Sequence, residues 1–141
     1  MSAQEKITSH AFRLLPGEDL RNGIKNFVQK NGIKAGWIMT GVGSLTQFNI
    51  RFADQQEGMQ GSGHFEIVSL VGTLSIRGSH IHISISDSSG KTIGGHLLEG
   101  CRVYTTAEIV IAETDRYEFT RENDGSTPWQ ELQIKTNLQN P

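Results

Sequence analysis

The stretch Ser79–Gly100, SHIHISISDSSGKTIGGHLLEG, decides how this chain is read. Ile81, Ile83 and Ile85 alternate with His80, His82, Ser84 and Ser86, a period of two that makes a strand with one apolar and one polar face. Asp87-Ser88-Ser89-Gly90-Lys91 then carries the chemistry of a three-residue hairpin loop. Asp opens a type I turn, and Gly takes the left-handed position that closes it. Such a loop sets Asp87 against Lys91. Counting back along both strands from that pair brings His82 directly opposite His96, with His80 one pair away on the same face. Ile93 and Leu97 fall with the isoleucines on the other face. A loop one residue shorter or longer would turn His96 to the apolar side.

Directly opposed residues have Cβ atoms ~4.5–5.5 Å apart and diagonal ones ~7–8 Å, so the hairpin gathers three imidazoles. An isolated His-x-His pair is ordinarily a hydrated polar face beside serines; the third, cross-strand histidine is what lifts this set above that reading. Three nitrogens from two rigid strands suit Zn²⁺ or another divalent transition metal and leave a fourth position for water or substrate. The candidate metal ligands are therefore His80, His82 and His96. Gly94 and Gly95, beside His96, clear space for a ligand or another backbone.

Outward from the hairpin, strand-like alternation dominates. Strands are expected at Ile7–Leu15, Ala35–Val42, Phe48–Ala53, Phe65–Ile76, Ile81–Ser86, Ile93–Leu98, Val103–Ala112, Tyr117–Thr120 and Leu132–Ile134. One helix is expected over Glu18–Asn31, where Leu20, Ile24, Phe27 and Val28 recur at helical spacing, acidic residues open the first turn and Gly32 follows the last. Gly23 inside it costs about 1 kcal/mol against Ala, so the helix must depend on packing. The Gln/Gly-rich run Asp54–Gly63 reads as a mobile loop, and the terminal TNLQNP as frayed. One helix among many strands means α+β with a mainly antiparallel sheet, because nothing supplies the helices that parallel crossovers need.

At 141 residues the chain is expected to be a single domain over 1–141, with its core at about 7–135. Its one cysteine, Cys101, excludes an intrachain disulfide framework and an all-cysteine zinc site. The polar start MSAQEK runs into no apolar stretch, so no signal peptide is expected, and no run approaches the ~20 apolar residues of a membrane span. The expected setting is soluble and cytoplasmic. Other polar candidates are weaker: His64 opens a strand, His10 has no visible partner, and Glu99 and Glu108 have no position relative to the histidines. Cys101 reads as a small apolar packing residue.

The segments PGEDL (Pro16–Leu20), GVGSL (Gly41–Leu45), GHFEI (Gly63–Ile67) and HIHISISDSSGKTIGGHLLEGCRVYTTAEIVI (His80–Ile111), in that order, resemble the plants-and-prokaryotes-conserved (PPC) domain family, from about His10 to Ile134. The resemblance implies one principal helix packed on a curved antiparallel sheet, assembled as a homotrimer, with His80, His82 and His96 at the positions of the family's histidine trio. Spare aromatic and aliphatic strand surface, beyond what one helix covers, points the same way for assembly. Plant relatives carry a separate Arg-Gly-Arg-Pro segment for the DNA minor groove; this chain has none, and His64 stands where their Gly-Arg-Phe-Glu-Ile segment has Arg.

Two functions follow as expectations. One is a metal-binding homotrimer, the metal zinc, with a DNA-binding or regulatory role. The alternative is a metal-dependent enzyme acting on a small molecule through an open three-histidine site. Lys and Arg number 13 against 15 Asp and Glu, a formal net charge of −2. Any DNA binding is thus expected to be weak and lost with salt; submicromolar affinity surviving about 200 mM salt in a filter-binding titration would refute this.

Overall fold

The computed structural model describes residues 5–137. The first residues of MSAQEK and the last of TNLQNP lie outside the described residues. The elements are β1 (Ile7–Leu14), α1 (Leu20–Asn31), β2 (Gly36–Arg51), β3 (Met59–Leu74), β4 (His80–Ser86), β5 (Thr92–Leu97), β6 (Arg102–Thr114), β7 (Tyr117–Glu122) and β8 (Glu131–Thr136). Six strands form one antiparallel sheet in the order β1-β6-β2-β3-β4-β5, and β7 with β8 forms a separate ribbon. The far end of β2 also pairs with β5, Ile50 with Leu97 and Arg51 with His96. The sheet therefore curls until its β5 edge meets β2 again. This is the expected α+β class with a curved antiparallel sheet and one helix.

Helix α1 begins two residues later than its acidic start implied, because Asp19 is its cap rather than its first turn. Asp19 has extended backbone, and its carboxylate accepts from Asn22 N at 2.9 Å and from Gly100 N at 2.7 Å. Gly32, at φ 63°, closes the other end. Leu20, Ile24 and Val28 are buried and join Leu45, Ile50, Leu74, Ile85, Leu97, Ile109 and Ile111 in one cluster. Burial of side chains of this size contributes roughly 1.5–3 kcal/mol each. Gly23 has a packing reason: a Cβ there would stand 2.6 Å from both Leu14 methyl carbons, so Leu14 lies on bare helix backbone.

Three expectations fail. The strands expected at Ala35–Val42 and Phe48–Ala53 are one continuous strand, β2, of 16 residues. The residues between the two expected strands continue β2, whose pairing with β6 shifts register after Ile38, Gly43 and Leu45. Residues Met59–Gly63 of the expected loop belong to β3, and Met59–Ser62 pair with Gln47–Ile50. Ladder bonds there come from backbone groups that Gln and Gly supply as well as any residue, and bare Gly61 leaves room for the Phe48 ring. Thr136 ends β8 and Asn137 N donates to Arg116 O at 2.8 Å, so the start of the expected frayed tail is ordered.

Gly43 sits at φ +154° where a Cβ would collide with the carbonyl oxygen of Thr106. Gly43→Ala is expected to cost about 1–3 kcal/mol through displacement of β2 from β6, read as a lower urea midpoint. An unchanged midpoint would show that the strands have slack there.

Candidate metal centre

The hairpin folds as its turn chemistry dictates. Asp87 N donates to Lys91 O at 3.0 Å and Gly90 N to Asp87 O at 2.9 Å, with Gly90 at φ +81°. The Asp87 carboxylate accepts from Ser89 Oγ at 2.7 Å, Ser89 N at 2.9 Å and Lys91 N at 3.0 Å. The Ser89 bonds, then the Lys91 bond, hold its acid below the ordinary aspartate range. Ser86 pairs with Thr92 and His82 with His96. Ile81, Ile83, Ile85 and Leu97 are buried on the opposite face.

The three imidazoles meet. One ring nitrogen from each of His80, His82 and His96 lies within 4.8 Å of the others. His80 Nε2 and His82 Nε2 are 3.1 Å apart. Two nitrogens sharing a tetrahedral zinc at about 2.05 Å stand about 3.3 Å apart, so the pair is already near a shared-ligand spacing. His96 Nδ1 is buried with no hydrogen-bond partner among the described residues. Three imidazoles that each bring one ring nitrogen within 4.8 Å of the others are a donor set that fits a borderline-soft divalent cation. Burial, then His80, Arg51, His82 and Arg21, press the pKa of His96 down to about 4. Burial first, then His82 and Arg121, lowers that of His80 as well. Both shifts favour the neutral ring, the form that binds metal.

The sheet sets cations around the trio. Arg51 is the ladder partner of His96, which pairs on its other side with His82, so these residues form a row across β2, β5 and β4. His80 pairs with Thr73, whose hydroxyl accepts from Arg121 Nη2 at 2.8 Å. A cleft of about 540 Å³ opens beside His80 and His96, walled by Arg51, Arg121, Trp129 and Glu131. A second, of about 350 Å³, lies between α1 and the β3–β4 turn and reaches His96 from the other side.

Arg51, Arg121 and Glu131 escaped the reading of the sequence. They come from the end of β2, from β7 and from the start of β8, and no spacing links those segments to the hairpin. The residues the sequence did single out go elsewhere. Glu99 accepts from Asn22 Nδ2 at 2.9 Å, and Glu108 pairs with Arg13 and Val42 on β6. His10 has a partner after all, Glu113 at 2.8 Å, and its ring meets the edge of Phe27. His64 stacks on Tyr104 with centroids 4.3 Å apart. Cys101 is buried, its thiol pushed up to about 11 by desolvation. Gly94 and Gly95 clear space for backbone: a Cβ at Gly95 would strike the Arg51 carbonyl, and one at Gly94 would come within 2.9 Å of the Ile83 carbonyl.

Residues 1–115 match the Plants and Prokaryotes Conserved (PCC) domain. The bifunctional protein GlmU of Synechococcus sp. is 43% identical over 126 residues, covering 89% of this chain and 20% of that protein. The chain thus spans about a fifth of the length of that curated relative. Among solved structures, a hypothetical protein from Salmonella cholerae-suis is 38% identical with a TM-score of 0.92, covering 98% of this chain and 100% of that one. A metal-containing protein from Archaeoglobus fulgidus is 25% identical with a TM-score of 0.78, covering 94% of this chain and 99% of that one. With the fold, the histidine hairpin and a family match from residue 1 to residue 115 in agreement, the chain belongs to the Plants and Prokaryotes Conserved domain family, abbreviated PCC or PPC.

Proposed function

We propose that this protein is a metal-dependent small-molecule centre, with His80, His82 and His96 holding a divalent transition metal, zinc. The observation that carries the reading is the convergence of three imidazole nitrogens within 4.8 Å beside an open cleft. The metal-containing relative from Archaeoglobus fulgidus supports it. An all-imidazole donor set favours zinc and its neighbours over the hard cations, which want oxygen. Bound there, such a cation supplies Lewis acidity toward an oxygen of a ligand in the cleft. The chain's own part is to favour the neutral form of His80 and His96 by burial and to fix the spacing of the three rings through two hydrogen-bonded strands. An open cleft favours small-molecule binding or chemistry over a closed structural site. A DNA-binding or regulatory role rests on the family resemblance, and the net charge of −2 opposes it.

The homotrimer belongs to the same reading. Met39, Val42, Val68 and Val71 are 59%, 54%, 58% and 55% exposed on the neighbouring strands β2 and β3. Exposed aliphatic side chains grouped in this way mark an interaction face. Val71 is the ladder partner of His82, so that face runs up to the trio.

Protein purified without a histidine tag is expected to contain about one zinc per chain by plasma mass spectrometry, and to melt lower after chelation. At a hundredfold excess of metal over its Kd the stabilisation is about 3 kcal/mol. His82→Ala should lose the metal and most of the chelator effect. Wild-type protein with neither stoichiometric metal nor a chelator response would end this reading. For assembly, sedimentation equilibrium should give the mass of a trimer for wild type and of smaller species for Val71→Glu; a monomeric wild type would refute it.

A further inference from the structure

The chain is negative overall, yet the two clefts that meet at His96 are not. Arg21, Lys25, Arg51, Arg77 and Arg121 line them, against one carboxylate, Glu131. Among the described residues none of these cations forms an ion pair. The β3–β4 turn joins the two spaces, since Arg77, Gly78 and Ser79 border both.

The two arginines nearest the trio are held in place without being neutralised. The Arg51 guanidinium lies over the Trp129 ring, 5.1 Å from its centroid, and Nη1 donates to Gln55 O at 3.3 Å. Stacking of this kind fixes the plane of the guanidinium, and its Nε–Nη2 edge has no partner among the described residues and suits a planar acid group. Arg121 is half-buried, and its side chain has one hydrogen bond among the described residues, to Thr73. Burial lowers its pKa, and Glu131 opposes that shift. Its stem passes the β3–β4 turn where Gly78, at φ +132°, would place a Cβ 3.1 Å from Arg121 Cγ. A guanidinium offers five N–H donors, and a partly desolvated one with most of them unused is costly unless an anion arrives.

We propose that these clefts bind a small polyanion, an organic molecule carrying two or more carboxylate or phosphate groups. One acid group sits on Arg51 and Arg121, another on the side of Arg21, Lys25 and Arg77, and the molecule passes the trio between them. The inference rests on the trio as a metal centre only for what lies between the acid groups. The arginine contacts stand without it. Arg–carboxylate and Arg–phosphate pairs are charge-assisted and often bidentate, which selects for acid groups over neutral polar ones. A concave space of about 540 Å³ has the size of a small-molecule pocket, whereas a nucleic-acid backbone needs cations along an extended track.

The test is isothermal titration of the metal-loaded and the chelator-treated full chain with inorganic phosphate, succinate and neutral succinamide. Phosphate and succinate should bind saturably and succinamide should not. Arg51→Gln and Arg121→Gln should each weaken succinate binding about tenfold. Arg121→Lys should lose less, and Lys135→Gln, outside both clefts, nothing. Zinc content and the melting curve, measured on every variant, separate lost ligand contacts from lost fold. If wild type holds no metal but succinate binding still depends on Arg51 and Arg121, the polyanion site stands and the metal reading falls. If zinc is stoichiometric and neither anion binds at millimolar concentration, or if both Gln variants bind as wild type does, the polyanion proposal is overturned while the metal reading stands. Duplex DNA binding that these variants abolish and succinate does not compete for would also overturn it, in favour of a nucleic-acid surface.

Discussion

The Asp87 carboxylate, accepting from Ser89 and Lys91, holds a turn of odd length between β4 and β5. Side chains alternate with a period of two, so this parity alone decides whether His96 faces the other histidines or the isoleucines. With the odd turn, the apolar set Ile81, Ile83, Ile85 and Leu97 goes to the core together, and the polar set comes out together. A slip of one residue would bury an imidazole and expose an aliphatic side chain in the same motion. The core thereby enforces the register that the site needs. Energies of side-chain burial, each larger than a typical net hydrogen bond, guard a cluster that contributes little to stability by itself.

The second constraint is the narrow seat of β5. It pairs with β4 along one side and with the end of β2 along the other, and glycines at 94 and 95 let both backbones approach. That closure brings Arg51 into the row with His96 and His82. Curling the sheet and building the site are one event, because the strand that closes the sheet carries a member of the trio.

What could be read from the sequence was local. The hairpin, the helix and the trio each lie within one short span and obey a period or a turn rule. The long bent β2 was not legible, because Gly41 and Gly43 mark a bend and a break alike until the neighbour that crowds Gly43, the Thr106 carbonyl, is in view. Met59–Gly63 was missed for a related reason: their pairing is carried by backbone groups, which leave no pattern in side-chain type. The arginine wall was hidden most completely. Arg51 and Arg121 come from distant strands, and a whole-chain charge of −2 averages away a concave region where cations outnumber carboxylates.

The position of the trio in the chain has a consequence for the order of folding events. All three imidazoles come from one hairpin, and hairpins close in about 1–10 μs, long before distant strands find each other. A cation could be captured by β4 and β5 while the rest of the chain is still searching, clamping the correct register early. Arg51 and Arg121 reach their posts only when the end of β2 and the β7–β8 ribbon arrive. If the trio holds a metal as proposed, a nascent chain would acquire that element first and the arginines beside it last.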